Sequence, residues 1–505
     1  MRFDIATPLG LTYALGPDIF VIAGASLLML VAAFAKNKPN AQRSIGIVAI
    51  AVCVAAIALV FGYVWRGTTA TDGTIAVDPF RWAVDIIVLL ATAGTIALAI
   101  EDNEREGIAT SETHVLILFA TSGMMLLAAA RDLMVLFLAL ELMSLAVYVL
   151  AGINRRSARS AEGALKYFLL GSFSTGFLLY GIALVYGATG STELSAIAYA
   201  ITGGLHGREM LLRGGIALLM IGFAFKVSAV PFHMWAPDVY EGAPTPITAY
   251  MAAGVKAAAF AAFLRVWTEA FQESMAVWRG PLMVIAIATM VVGSLIALPQ
   301  RNVKRMLAYS SIVHSGYILV AVLAVSAIGR SAFLFYLLSY TLATIGSFAV
   351  VSAVSAPNEG KLKLADYSGL WRERPWMALA MGIYLLALLG FPIFGGTGFL
   401  AKWYMLNASL TGPAKMPGVA TALVLTSCVS AGFYLYLVTL MFMKERPADG
   451  RVAPTGGITR FLIGATAVAI LLLGVFSNPL VQWAEQGAPM KGAAGGTVVR
   501  AAPGK

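Results

Sequence analysis

Two lysines lie inside stretches of this sequence that are apolar enough to cross a lipid bilayer. Lys226 belongs to GGIALLMIGFAFKVSAVPF, and Lys256 belongs to ITAYMAAGVKAAAFAAFLRVW. An ammonium group at bilayer depth costs at least about 2.5–3.5 kcal/mol, so it is tolerated where it faces protein groups or a watery cavity. Buried lysines also gain and lose protons readily. Two such lysines on neighbouring segments therefore suggest a proton relay.

Three further ionisable side chains occupy comparable positions. Glu141 lies near the centre of FLALELMSLAVYVL, where either a proton-transfer role or a hydrogen bond between helices would explain it. A lysine on a neighbouring helix would keep Glu141 ionised, and we expect Lys226 to be that partner, in a pair that acts as a switch. Lys402 in GFLAKWY is a third candidate lysine. His314, among the serines and tyrosines of YSSIVHSGYIL, could bridge lysines that do not touch.

Three other basic residues have strong alternative explanations. Lys166, in ALKYFLL, lies about one turn inside its apolar segment and could reach the membrane surface instead of a relay. His233 follows Pro231 and could cap a broken helix. Lys304 could reach inward, but it could equally be one of the positive charges that anchor a helix at the cytoplasmic surface.

These residues must be positioned by a membrane-embedded helical bundle. The chain has 505 residues, of which 59% are hydrophobic and 12% charged, with a mean hydropathy of +0.83. Apolar runs long enough to span a bilayer recur along the chain. We therefore predict an all-α membrane protein with fourteen transmembrane helices. The predicted spans lie near 17–35, 44–64, 79–99, 112–130, 133–152, 162–187, 211–235, 246–268, 279–299, 305–326, 331–355, 376–408, 417–443 and 458–482.

Basic residues set the predicted orientation. The net charge is +10, and lysine and arginine are concentrated in the odd-numbered loops between the predicted spans. The positive-inside rule places those loops in the cytoplasm and both termini on the opposite side of the membrane. Nucleic-acid binding is a remote alternative explanation for the basic excess.

Two of the predicted spans look broken. Span 7 contains Pro231, and span 12 contains Pro392, Gly395 and Gly396 within GFPIFGGTGF. Broken helices at matching positions of two halves indicate inverted repeats, here spans 4–8 and 9–13. The predicted regions are three initial helices (1–110), a first repeat (111–275), a second repeat (276–445), and a last helix with a flexible tail that begins at Ala484 (446–505).

Resident cofactors and metals are not expected in this chain. Cys53 and Cys428 lie singly within apolar spans, and the sequence contains no CxxC motif and no Cys/His cluster. The GGTG run does not follow a strand and lacks the GK[ST] ending of a phosphate-binding loop, so we interpret it as a helix break.

Four stretches together carry a family resemblance: LMVLFLALELMSLAVYVLAG (133–152), SAEGALKYFLLGSFSTGFLLYGIALVYGATGSTEL (160–194), FKVSAVPFHMWAPDVYEGAPTPITAYMAAGVKAAAFAAFLR (225–265) and VKRMLAYSSIVHSGYIL (303–319). The third resembles the signature of the antiporter-like membrane subunits. The second resembles the N type of proton-pumping NADH:quinone oxidoreductase, respiratory complex I. The similarity is specific over residues 110–410 and extends to the ends only in hydropathy.

The resemblance implies a proton relay through the positions that match the family's motifs. These positions are Glu141, Lys166, Lys226, Lys256, His314 and Lys402. It also implies that NADH, FMN, iron–sulfur clusters and quinone are bound by partner subunits. Expected partners are lipids, other membrane subunits of complex I including antiporter-like ones, and indirectly the peripheral arm. The location implied is the bacterial cytoplasmic (inner) membrane, with both termini periplasmic.

Two alternatives remain open at this point. The chain could be the large subunit of a multisubunit Na⁺/H⁺ antiporter or of a membrane-bound hydrogenase, or a scaffold subunit that does not pump. One departure from the family pattern concerns Lys402, because two extra residues separate it from Pro392. We expect the unwound segment Gly390–Gly398 to absorb them.

Overall fold

The computed structural model describes residues 2–35, 40–70, 73–108, 110–355, 360, 362–392, 396–411, 415–446 and 454–489. Helices account for most of them. In chain order they are α1 Pro8–Ala14, α2 Gly16–Ala35, α3 Ala41–Trp65, α4 Pro79–Glu106, α5 Glu112–Ala129, α6 Leu133–Ala151, α7 Ala158–Thr189, α8 Leu194–Gly203, α9 Glu209–Lys226, α10 Trp235–Gly242, α11 Thr245–Tyr250, α12 Lys256–Glu269, α13 Met275–Ala297, α14 Val303–Ala324, α15 Ala327–Val354, α16 Leu370–Glu373, α17 Pro375–Leu389, α18 Gly396–Thr411, α19 Pro417–Met443, α20 Gly457–Val475 and α21 Ser477–Gly487. Two short strands, Arg2–Phe3 and Thr69–Ala70, pair in parallel.

The all-α membrane architecture is confirmed. Among the described residues, twelve helices are long and apolar enough to cross a membrane. The other two predicted spans, 7 and 12, correspond to the shorter segments on either side of the helix breaks. The count of fourteen and the inverted repeats therefore stay predictions.

The first break begins earlier than its proline. Helix α9 ends at Lys226, and α10 does not begin until Trp235. Between them the backbone turns at Ser228, which has a positive φ of 57°, and the Val230–Pro231 peptide bond is cis. The helix therefore ends at the lysine itself rather than at Pro231.

The second break is centred on glycine. Helix α17 ends at Leu389 and is capped by Gly390, whose φ of 80° favours a residue without a side chain. Pro392 lies in the exposed turn that follows, Gly395 lies outside the described residues, and Gly396 begins α18. A Cβ at Gly398 would meet the Ala387 carbonyl oxygen at 1.8 Å, so glycine allows α18 to pack directly on the end of α17.

Two features depart from the expected continuous helices. Met251–Val255 forms a π-helical turn between α11 and α12, directly before Lys256. The last predicted span ends at Val475, and a separate helix, α21, follows it. The expectation of a flexible tail from Ala484 is wrong at that residue, because Ala484 is buried within α21.

The most enclosed part of the core carries two of the candidate relay residues. Every residue in the most apolar stretch of Thr245–Glu269, and likewise of α14, is buried inside the protein, whereas α2, α3 and α20 bury about a third of theirs. Lys256 and His314 therefore lie on the most enclosed helices of the bundle.

Polar N-caps fix where several helices begin. Asp132 accepts hydrogen bonds from the backbone of Met134 and Val135, and Asn302 accepts one from the backbone of Arg305.

Candidate functional site

Lys226 is held at the end of a half-helix by two hydroxyl groups. Its side chain is 4% exposed, and its ammonium donates to Ser144 Oγ at 2.8 Å and to Tyr148 OH at 3.0 Å. A Cβ at Gly171 would lie 2.1 Å from the Tyr148 hydroxyl, so glycine on α7 makes room for this contact. A cation at the C-terminus of a helix is also stabilised by the helix dipole.

Glu141 does not pair directly with Lys226, contrary to our expectation. The ion pairs among the described residues include none between these two side chains. Glu141 shares one face of α6 with Ser144 and Tyr148, at spacings of three and seven residues. Those two hydroxyls take the ammonium instead, and Glu141 Oε1 is buried without a hydrogen-bond partner.

Lys256 is enclosed between α12 and α14. It is 2% exposed, and its ammonium donates to the Ser311 carbonyl oxygen at 2.9 Å and to the Ser311 hydroxyl. His314 follows Ser311 by three residues on α14, which places it about one turn further along the same face. The serine therefore connects the lysine to the helix that carries the histidine.

His314 lies in a cluster of tyrosines. Its Nδ1 is 2.7 Å from Tyr336 OH, and its Nε2 is 3.2 Å from Tyr434 OH. The Tyr434 hydroxyl also bonds to Ser310 Oγ. Tyr340 packs on the imidazole, with ring centroids 4.9 Å apart. Both ring nitrogens thus have a hydroxyl partner, as a group that receives a proton on one side and releases it on the other requires.

Lys402 points into the bundle across the second break. It is 8% exposed, and its ammonium donates to the Leu389 carbonyl oxygen at 2.9 Å and to Ser427 Oγ at 3.1 Å. Ser427 Oγ in turn donates to Tyr317 OH at 3.2 Å, and the Lys402 ammonium lies 4.7 Å from the centre of the Tyr317 ring. One small cavity is lined by both Lys402 and His314.

Lys166 belongs to a different environment. Its side chain is 42% exposed, and its ammonium forms ion pairs of 2.8 Å with Glu162 and with Asp238. Arg305 contacts Asp238 from the other side at 2.9 Å. Burial alone would raise the pKa of the Asp238 carboxyl, but hydrogen bonds from Lys166 and Arg305 hold it below its ordinary value. Lys166 therefore lies in an ion-pair cluster that opens to the surface.

The two secondary candidates lie on other elements of the structure than Lys226, Lys256 and Lys402. Lys304 is fully buried and donates to the Ala243 carbonyl oxygen at 2.6 Å. His233 is partly exposed in the turn before α10, and its Nδ1 is buried without a hydrogen-bond partner. Its backbone carbonyl, rather than its ring, accepts the hydrogen bond from Ala236 at 2.9 Å. The imidazole also has a hydrogen bond with the backbone of Pro231 in the break, so its capping role stays a prediction.

The sequence did not identify the hydroxyl partners of the relay candidates. Ser144 and Tyr148 could have been found, because they follow Glu141 on one helical face. Tyr336, Tyr434 and Ser427 come from α15 and α19, far from His314 and Lys402 in sequence, and no local spacing indicates them. Within the described residues no group of three His, Cys, Asp or Glu side chains could hold a metal ion.

The arrangement can carry protons but contains gaps. No hydrogen bond found in the described residues links Lys226, Lys256 or Lys402 to either of the other two. Hydroxyl groups extend each site by one or two steps, and ordered water would have to cover the remaining distances.

Comparisons with known proteins agree with the resemblance seen in the sequence. The family described as NADH:quinone oxidoreductase/Mrp antiporter, TM, matches residues 130–431. NADH-quinone oxidoreductase subunit N of Gemmatimonas aurantiaca is 47% identical over 486 residues, covering 94% of this chain and 92% of the relative.

Solved structures give the same result. A chain of the respiratory complex I from Thermus thermophilus with bound aureothin superposes with a TM-score of 0.78 at 35% identity, covering 92% of this chain and 98% of that one. A chain of the Mrp complex from a Dietzia species reaches a TM-score of 0.82 at 23% identity, covering 94% and 97%, and shows a shared fold alone. With 47% identity to a subunit N over nearly its whole length, this chain belongs to the family of NADH-quinone oxidoreductase subunit N.

Proposed function

We propose that this chain is a proton-translocating membrane subunit of an NADH:quinone oxidoreductase. Protons move through Glu141, Lys166, Lys226, Lys256, His314 and Lys402, and the driving reaction, quinone reduction, takes place in other subunits. NADH, FMN, iron–sulfur clusters and quinone belong to those partners. The chain lies in a bacterial inner membrane with both termini on the periplasmic side, beside other antiporter-like subunits and lipids.

One observation carries this proposal: the buried ammonium groups of Lys226, Lys256 and Lys402 have only neutral partners. Among the described residues, no carboxylate lies within ion-pair distance of the ammonium groups of Lys226, Lys256 or Lys402. A buried lysine paired with a carboxylate keeps its proton, because releasing it would leave a buried negative charge. A lysine bonded to hydroxyl and carbonyl groups can release its proton without that penalty. A subunit that served only as a scaffold would not need its buried lysines to be free of carboxylate partners.

Glu141 supplies a switch for the first lysine. Its partnerless oxygen lies on the same face of α6 as the two hydroxyls that now hold Lys226. A flexible lysine side chain could move along that face from the hydroxyls to the carboxylate. In the first position the ammonium is free to give up its proton, and in the second the carboxylate retains it.

Lys166 marks the side on which protons arrive. Its side chain is 42% exposed, and it shares a polar pocket with Glu162, Asp238 and Arg305. The basic loops near this pocket lie on the predicted cytoplasmic side. At the other end of the series, Lys402 stands beside the second helix break, where irregular backbone is tolerated because it lines a cavity.

Replacement of Lys226 tests the proposal. The intact complex carrying Lys226→Ala, reconstituted in vesicles, should oxidise NADH with most proton uptake lost, while the chain remains assembled. Lys444→Ala is the matched control, because Lys444 is an exposed lysine at the end of α19. Normal proton uptake by Lys226→Ala at normal subunit levels would contradict the relay.

A further inference from the structure

A second set of buried charged groups lies around the start of α4, apart from the relay residues. Asp78, Arg81 and Asp85 share one face of that helix, at spacings of three and seven residues. Arg81 and Asp85 are fully buried. Asp18 on α2 and Arg265 on α12 complete the group, which we term the Arg81 cluster.

One side of the cluster is fully paired. The Arg265 guanidinium binds both oxygens of Asp78, at 2.8 and 3.0 Å, and also Glu269 at 2.8 Å. Arg131 binds the second oxygen of Glu269 at 2.8 Å. Two carboxylates and two guanidinium groups therefore balance each other here. Such two-pronged contacts are among the strongest that a carboxylate can make.

The other side has one guanidinium for two carboxyls. The Arg81 guanidinium donates through Nη2 to Asp18 and through Nη1 to the carbonyl oxygens of Ala14 and Ala76, at 3.0 and 2.8 Å. Only its Nε faces Asp85, at 3.5 Å from Oδ2, which is too far for a good hydrogen bond. Neither oxygen of Asp85 has a hydrogen-bond partner.

Arg265 attracts Asp85 through space, but its charge is already balanced by Asp78 and Glu269, and the other neighbours add none. Tyr63, on α3 beside Asp18, donates its hydroxyl proton to the Tyr13 carbonyl oxygen at 2.8 Å. Arg330, on α15, donates a hydrogen bond to the Ala488 carbonyl oxygen at 2.6 Å. Its electrostatic interaction is with the Glu269 carboxylate. An ionised carboxylate that is fully buried and accepts no hydrogen bond would be very costly. A protonated carboxyl in the same place is neutral and tolerates this environment.

We propose that Asp85 is a proton-binding site outside the lysine and histidine relay. At neutral pH its carboxyl carries a proton, because Asp18 occupies the hydrogen-bonding end of Arg81. When Arg81 turns from Asp18 towards Asp85, the Asp85 carboxyl becomes stable as the anion and gives its proton to water, while Asp18 loses its charged partner and takes up a proton. The site requires only residues of this chain, and it goes beyond the relay proposed above.

Infrared difference spectroscopy on the intact complex tests this site. Spectra taken between neutral and alkaline pH show the carbonyl stretch of carboxyl groups that lose a proton. Asp85→Asn should remove one such band, and Asp85→Glu should retain it at a shifted frequency. Lys226→Ala should leave the band unchanged, so failure of the relay and failure of this site give different results.

Thermal unfolding supplies the second measurement. Asparagine resembles a protonated aspartate in shape and in charge, so Asp85→Asn should leave the melting temperature of the complex nearly unchanged. Asp18→Asn removes the partner of a buried guanidinium and should lower it clearly. An unchanged band in Asp85→Asn, or destabilisation as large as that of Asp18→Asn, would overturn the proposal.

Discussion

The two broken helices hold their lysines by the same electrostatic principle and by different geometry. Lys226 is the last residue of α9, so its charge belongs to the helix that it terminates. Lys402 lies on α18, after the break, and reaches back to the carbonyl oxygen of Leu389, the last residue of α17. In both places an ammonium group neutralises the negative end of a helix dipole. A half-helix that ends inside the membrane can therefore obtain its compensating charge from either side of the gap.

The difference lies in what else surrounds each lysine. Lys226 has a carboxyl group, Glu141, on the helix that provides its two hydroxyl partners. Lys402 has the aromatic ring of Tyr317 and the hydroxyl of Ser427. The first site can thus exist in two charge arrangements, and the second depends on neutral groups. We expect the Lys226 site to alternate between retaining and releasing its proton, and the Lys402 site to pass protons on without such a change.

The largest effect should come from removing the carboxylate of the first site. Glu141→Gln should reduce NADH-driven proton uptake at least about tenfold, equivalent to about 1.4 kcal/mol in the barrier. Without the negative charge, Lys226 has no second position in which its proton is retained. Glu141→Asp should keep part of the activity if charge matters more than reach. Equal uptake by Glu141→Gln and the unaltered complex would remove the distinction between the two sites.

The next effect concerns the stability of the second break. Lys402→Ala leaves the Leu389 carbonyl without its charged donor, and a hydrogen bond involving a charged group contributes about 1.5–3 kcal/mol. We expect a lower melting temperature of the complex in detergent, together with reduced proton uptake. Lys402→Arg is the informative companion, because arginine keeps the charge but does not release its proton. It should recover stability without recovering transport.

A smaller effect should distinguish the hydroxyl partners of the two regions. Tyr434→Phe removes one of the two partners of His314, and Tyr148→Phe removes one of the two partners of Lys226. Each loss should cost about 0.5–1.5 kcal/mol of stability. Transport should fall further in Tyr434→Phe, since no carboxyl group stands by to replace the lost contact. Stopped-flow measurement of proton uptake would compare the two variants directly.

The smallest effect should follow the loss of Lys166. Its ammonium is partly exposed and shares Asp238 with Arg305, so water can deliver protons in its place while the arginine keeps Asp238 paired. Lys166→Met should slow proton uptake less than either tyrosine change and leave assembly intact. Lys444→Met serves as its exposed control. A loss of transport as large as that in Glu141→Gln would contradict this ranking and make Lys166 as essential to the relay as Glu141.

Sequence was sufficient for the architecture but not for the contacts. Long apolar runs predicted the helices from α2 to α7 closely. Each membrane crossing requires about 20 consecutive apolar residues, and polar loops separate one run from the next. The positions of Lys226, Lys256 and Lys402 were visible for the same reason. Which hydroxyl group each ammonium would bind depends on how distant helices pack, and a single sequence does not contain that information.

Two further charged residues within apolar segments could have been recognised from the sequence as candidates. Asp85 lies in PFRWAVDIIVLL and Arg265 in AAFLRVW, and both are charged residues within apolar segments. Intramembrane charges are functional candidates by default. The direct Glu141–Lys226 pair was expected because opposite charges on neighbouring helices attract, but two hydroxyl groups on the same helical face hold the ammonium instead.

The π-helical turn at Met251–Val255 determines the direction in which the side chains of α12 point. Each residue of an α-helix advances the side-chain direction by about 100°, so the extra residue accommodated in a π turn rotates α12 relative to α11 by roughly that amount. Tyr250 faces Thr121 on one side of this offset, and Lys256 faces Ser311 on the other. Removing one alanine from the turn would straighten the helix and let only one of these residues keep its partner. The turn therefore sets the rotation of one half of the helix relative to the other. If it moved by a single residue along the chain, Lys256 would rotate away from Ser311 while the surrounding helices stayed folded.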